Sequence, residues 1–230
     1  MIYYYITISA KEVSPVDKKE IALKIIELLK EAYPIAECSL DYTDGWQLAV
    51  SVRLAAQCTD ARVNIVTEKL FSIYPSIESL AEAPVKAIEE IVRPCGLGMT
   101  KARDISKSMR IIRDEYGGIL PDTMDELLKL PGVGRKSANL ILGDIYHKPA
   151  IVTDTHCIRL CARFGLTDSK SPAIVEKQLW KIIPPDEGND FCHRLVLHGR
   201  AVCTARSPMC DKCPLSQACP KIGTEYEKET

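Results

Sequence analysis

Past its first dozen residues the chain repeats one pattern almost without interruption: apolar residues three and four apart for 8 to 16 residues, then a proline or glycine stop. That period leaves little room for a sheet. Ser14-Pro15 reads as the N-cap and first residue of a helix with Ile21, Ile25, Leu28, Leu29 and Ala32 on one face, ending before Pro34. Helices are expected next from Asp44 or Gly45 to Ala55, from Thr59 or Asp60 to Tyr74, over 76–82 and 84–92, and from Thr100 to Tyr116. The pattern continues over 122–130, 133–146, 154–164, 171–183 and 187–197. The one exception, 2–8, carries three tyrosines and β-branched residues, but a lone strand has nothing to pair with. The expected fold class is all-α.

At 230 residues, 46% hydrophobic and 27% charged, the chain can bury a substantial core as one large or two small domains. No apolar run approaches a membrane span, and the first residues lack a basic head or a small-residue cleavage site, so a cytoplasmic location is expected. With 30 Lys+Arg against 31 Asp+Glu the net charge is −1, which at first argues against a nucleic-acid partner. The charges are segregated, however. Between Arg93 and Arg113, Lys101, Arg103, Lys107 and Arg110 join those two against Asp104 alone, and from Arg194 to Lys212 the basic residues face only Asp211. Acids collect over 78–90 and in the tail. One basic face on an otherwise acidic surface is therefore expected.

The segment LLKLPGVGRKSAN, residues 127–139, is the most informative. Pro131 stops one apolar helix, Gly132 and Gly134 allow a tight turn, and a second helix opens within that turn. The free N–H groups of a new helix point outward at one spot and suit a phosphate. A plain interhelical turn would account for the glycines but not for Arg135-Lys136. Lys136 lies in the first helical turn, where the positive end of the helix disfavours a protonated amine, and partial burial is expected to add to this. A neutral lysine amine is a nucleophile able to attack a sugar C1′ and form a Schiff base. Eighteen residues on, VTDTH places Asp154 just before an apolar helical pattern. It reads as an N-cap, and equally as a carboxylate able to stabilise an oxocarbenium ion or assist proton transfer.

Of 10 cysteines, Cys203, Cys210, Cys213 and Cys219 crowd into 17 residues, while the others lie scattered in apolar helical patterns. In a reducing compartment the quartet reads as a metal site and the rest as core residues. Its spacing, Cys-x6-Cys-x2-Cys-x5-Cys, leaves zinc and an iron-sulfur cluster both open.

Taken together, LPGVGRKSANLIL, IVTDTHCIRLCARFG, LVLHGRAVC and the quartet resemble the endonuclease III family of the helix-hairpin-helix DNA glycosylase superfamily, over residues 17–220. The resemblance implies two helical domains with an active-site cleft between them. One is a six-helix barrel carrying the helix-hairpin-helix, 38–148; the other is an iron-sulfur cluster domain built from 1–37 and 149–230. It implies a base-excision-repair glycosylase and abasic-site lyase that removes oxidised pyrimidines from duplex DNA. Lys136 would displace the base and hold the sugar as an imine, Asp154 would be the essential carboxylate, and β-elimination would cut the strand 3′ to the abasic site. The adenine-mismatch branch lacks that lysine. Gln57 would enter the space left by the extruded nucleotide and Leu97 would act as a wedge. Gly132, Val133, Gly134 and Arg135 in the hairpin, and Arg206 in the loop between the first two cysteines, would contact DNA. Cys203, Cys210, Cys213 and Cys219 would ligate a 4Fe-4S cluster. The implied partner is double-stranded DNA with a damaged base or abasic site, met by a monomer. The alternative is a non-enzymatic or monofunctional DNA-binding member of the same superfamily.

Overall fold

Proline at the first turn of a helix supplies a helical φ and gives up an N–H that would have had no partner. Accordingly α1 (Pro15–Ala32) begins on Pro15, and its apolar stripe buries Ala22, Ile25, Ile26 and Leu29. The computed structural model describes residues 15–226. The Ser14 cap and the strand-like 2–8 segment lie outside the described residues. Eleven α-helices and two 3-10 turns make up the described part, with no strand among those residues. No helix there is long and apolar enough to cross a membrane. The chain divides into two compact units, one spanning Glu37–Val152 and the other joining the described residues up to Ala36 with those from Thr153 on.

The contiguous unit holds α2 (Gly45–Ala55), α3 (Asp60–Ile73), α4 (Ile77–Glu82), α5 (Val85–Val92), α6 (Gly98–Glu115), α7 (Met124–Leu127) and α8 (Arg135–Asp144). α2 is apolar around most of its circumference, burying Trp46, Leu48, Ala49, Val50, Val52 and Leu54, as a central helix must. It packs on α3, α6 and α8, while α6 also packs on α4 and α5. Trp46 meets Phe71 of α3 edge to face, with ring centroids 5.1 Å apart.

The hairpin helices are shorter than the periodicity predicts. After α7, Lys129 and Leu130 donate to the carbonyls of Glu126 and Leu127, three residues back. The chain tightens in this way because Leu130 precedes Pro131 and is steered out of the α region. α8 begins at Arg135, not at Val133, because its N-cap Gly134 is extended (φ −99°, ψ 176°). α6 starts two residues earlier than expected, on Gly98, with Leu97 as a left-handed N-cap.

In the second unit α1 is joined by α9 (Thr155–Arg163), α10 (Pro172–Leu179) and α11 (Gly188–Ala201). α11 packs against both α1 and α9. Arg194 Nε donates to the Tyr33 carbonyl at 3.0 Å and pins the end of α1 to α11. Beyond α11 the chain runs irregularly through a 3-10 turn at Cys210–Lys212.

Candidate functional site

The turn between α7 and α8 is clamped onto the helices beneath it. Gly132 has φ +79°, and a Cβ there would come within 2.3 Å of Arg53 Cδ and 2.4 Å of Arg53 Nε. Arg53 cannot easily move aside, because its guanidinium binds Asp104 Oδ2 of α6 through Nε at 2.8 Å and Nη2 at 2.7 Å. Ser108 Oγ donates to the Pro131 carbonyl at 3.0 Å. Val133 is half-buried against a small pocket shared with Ala49, Val50, Ile105 and Met109. Gly134 differs from Gly132: its φ is ordinary, and a Cβ on it would meet nothing within 4 Å. The space before the first turn of α8 is open, and Gly134 offers no side chain to cap that turn. Arg135 and Lys136 are exposed there, so the partial burial expected of Lys136 is not observed.

Two further segments of the same unit carry strained, exposed side chains. Among the described residues only four non-glycines have positive φ, and Gln57 (58°) and Leu97 (51°) are two of them. Gln57 follows the end of α2 and is exposed; Leu97 precedes α6 and is 59% exposed, an unusual position for a leucine. Gly98, the first residue of α6, packs closely: a Cβ would come within 3.1 Å of Arg93 Cα and Glu89 Oε1.

The basic run on α5–α6 is thinner than its sequence implies. Lys101 is fully buried, Arg93 is paired with Glu89, Arg113 with Asp114, and Arg110 Nε binds the Ala81 carbonyl. Arg103, Lys107 and Arg110 remain as exposed charges of α6.

Asp154 belongs to the other unit. It is the N-cap of α9, its half-buried carboxylate accepting from the Cys157 N–H at 2.7 Å. The chain just before it, Ala150 to Thr153, is buried, and Asn139 Nδ2 of α8 holds the Ile151 carbonyl at 3.0 Å.

The four clustered cysteines line one small pocket, together with Arg163, Phe164, His198 and Met209. Among the described residues no three His, Cys, Asp or Glu side chains are grouped closely enough to hold a metal ion. Burial pushes the Cys213 thiol up and the Cys219 thiol up to about 11. Arg163 grips the first stretch of the loop, with Nη1 3.2 Å from Cys203 Sγ and 2.7 Å from the Thr204 carbonyl, and Nη2 3.0 Å from that of Ala205. His198, whose pKa burial lowers to about 4, stands between Cys213 Sγ (3.5 Å) and Tyr33 Oη (3.0 Å). Arg206 is exposed on the loop. Sequence reading missed Arg163 and His198; the available signal was a pair of basic residues, Arg159 and Arg163, one turn apart on a helix whose other face is apolar.

Comparison with known proteins places this arrangement. Residues 50–185 match the model of the HhH-GPD superfamily of base excision DNA repair proteins. Endonuclease III of Synechocystis sp. is 45% identical over 204 residues, covering 88% of this chain and 93% of its own. The chain belongs to the endonuclease III family of the HhH-GPD superfamily. Other members of the endonuclease III family, from Bacillus subtilis and Escherichia coli K12, are 40% and 35% identical, with the matches covering 89% and 86% of this chain and 93% of each relative. A solved structure titled as a trapped endonuclease III–DNA covalent intermediate matches with TM-score 0.83 at 39% identity, covering 88% of this chain and 96% of that one. A thermostable thymine-DNA glycosylase, 22% identical with TM-score 0.76 and coverage of 89% and 96%, shares the HhH-GPD fold.

Proposed function

We propose that this endonuclease III family member, a base excision repair DNA glycosylase, removes oxidised pyrimidines from duplex DNA and then cleaves the strand as an abasic-site lyase. The observation that carries the proposal is the start of α8. Gly134 is required neither by its torsions nor by a neighbour within the protein, yet it stands before open space at an uncapped helix start. A partner from outside explains it, and a backbone phosphate suits such a helix terminus. Lys136, exposed two residues on, then faces the same partner with its amine. In this reading Gly132, Val133, Gly134 and Arg135 seat the strand, and Arg206 adds a phosphate contact.

Chemistry on a base requires its nucleotide to leave the stack. Gln57 and Leu97, exposed in strained conformations, are assigned to the vacated space and to the wedge. Lys136 Nζ attacks C1′, the C1′–N bond breaks, and the base departs with its electron pair and a proton. The amine and the opened sugar form an imine, loss of a C2′ proton expels the 3′ phosphate, and water releases the lysine. Asp154 stabilises the cationic sugar or takes part in the proton transfers. The trapped covalent intermediate named for a solved relative supports this reading.

For the cysteine cavity we propose a 4Fe-4S cluster on Cys203, Cys210, Cys213 and Cys219. All four cysteines line a single pocket, as the ligands of one cluster must. When bound, such a cluster supplies a covalent staple that fixes the loop carrying Arg206. Arg163 donates to Cys203 Sγ, a bond that suits a thiolate ligand.

Borohydride reduction on a duplex with an oxidised pyrimidine or abasic site tests the chemistry. Wild-type protein is expected to trap covalently and to nick, and Lys136→Ala to do neither. Base release without a nick would instead mean a monofunctional glycosylase, and salt-dependent binding without release a non-enzymatic module.

A further inference from the structure

Lys101 is a buried charge that the proposed chemistry does not use. Its side chain is 0% exposed, and Nζ donates to the backbone carbonyls of Leu54 at 2.9 Å, Ala56 at 2.8 Å and Cys95 at 2.8 Å. An ammonium has three protons, so each has its acceptor. Burial lowers the pKa of this lysine from its ordinary value, and the three charge-assisted bonds offset that cost of desolvation. Helix stability does not explain the residue, because a cation in the first turn of α6 opposes the helix dipole. Capping the open carbonyls at the end of α2 explains two of the bonds. It does not explain the third, to Cys95, which lies in a different segment.

What the three carbonyls share is their place in the chain. Ala56 immediately precedes Gln57, and Cys95 lies two residues before Leu97. The Cys58 and Cys95 side chains also interact across the same seam. Both left-handed, exposed residues are thus tethered through their neighbours to a single nitrogen. Residues held in sparsely populated torsions persist only where the surroundings over-determine them.

We infer that Lys101 is a positioning residue, whose ammonium locks the segments bearing Gln57 and Leu97 together so that both side chains are preset to enter the duplex as the nucleotide leaves it. The inference rests on the assignment of Gln57 and Leu97 given above.

The test compares a substrate that must be unstacked with one that need not be. Lys101→Met is expected to lower kcat/KM for base release from a duplex by about 10- to 100-fold, the scale of an ångström-sized misplacement. Borohydride trapping on a single-stranded abasic oligonucleotide should change by less than about threefold, since no stack has to be opened. The fluorescence rise of 2-aminopurine opposite the lesion should be lost with the duplex activity. In a Leu97→Ala background the added cost of Lys101→Met should largely vanish, because the lysine acts through that residue. Lys101→Gln, which keeps two of three donors, should show the same split at a smaller size and serves where the methionine variant does not fold. Equal loss on both substrates by a folded variant, or full additivity with Leu97→Ala, overturns the inference. Wild-type protein that traps on neither substrate overturns the proposed function instead.

Discussion

Gly132 and Gly134 stand two residues apart in one turn, yet different things require them. Gly132 is needed by its own torsion and by the Arg53 side chain beneath it. Gly132→Ala should therefore destabilise the protein by about 1–3 kcal/mol, read from urea melts, and weaken DNA binding as a consequence. Gly134→Ala has room, so its stability should stay within about 0.5 kcal/mol of wild type while its affinity for an abasic duplex, measured by fluorescence anisotropy, falls. Equal destabilisation by the two would contradict the outward-facing role given to Gly134. Asp154 is separable by the same logic. Asp154→Ala removes the α9 cap as well as the carboxylate and should cost about 1 kcal/mol in addition to activity. Asp154→Asn keeps a capping oxygen, and it should melt like wild type while failing to release base. A fully active Asp154→Asn would leave this residue only its structural bond to Cys157. The turn at the hairpin glycines and the gathering of the quartet at one pocket were legible because their spacing is local, whereas the partial burial expected of Lys136 was not met. The inward turn of Lys101 was not legible, since three carbonyls from two distant segments meet only in the folded chain.

At the scale of elements, the helices were legible wherever an apolar stripe ran up to a proline, as in α1 and α3, or to a glycine, as in α9. The misses fall where another constraint prevails over periodicity. α7 stops after one turn because Leu130 precedes a proline, and α8 waits for Gly134 to leave its extended torsion. The loop after α11 could be located by its cysteines, but its support could not: Arg163 reaches it from α9 with bonds to Cys203 Sγ and the carbonyls of Thr204 and Ala205. A planar, forked donor matches those three acceptors and a lysine does not. Arg163→Lys should accordingly load iron but lose its visible absorbance several-fold faster than wild type under mild oxidant. Unchanged decay would show that the loop is held by its thiolates alone.

For the molecule as a whole, net charge conceals what partners meet. Once Lys101 is inside and Arg93 and Arg113 are paired, Arg103, Lys107 and Arg110 carry the exposed positive charge of α6. Arg103→Ala and Lys107→Ala should each reduce the slope of log affinity against log salt by about 1, whereas Arg93→Ala should scarcely move it. A slope unchanged by all three would place the duplex elsewhere. The arrangement of the chain bears on how the protein is made. α1 packs on α11, so once made it must wait until the whole Glu37–Val152 unit and α9 and α10 have emerged. At ordinary rates of translation that interval is on the order of ten to thirty seconds. During it the stripe of Ala22, Ile25, Ile26 and Leu29 has no cover. On the ribosome the unit bearing the hairpin can be finished while the cysteine unit is still open at both ends, which leaves the cysteine loop among the last parts of the chain to settle.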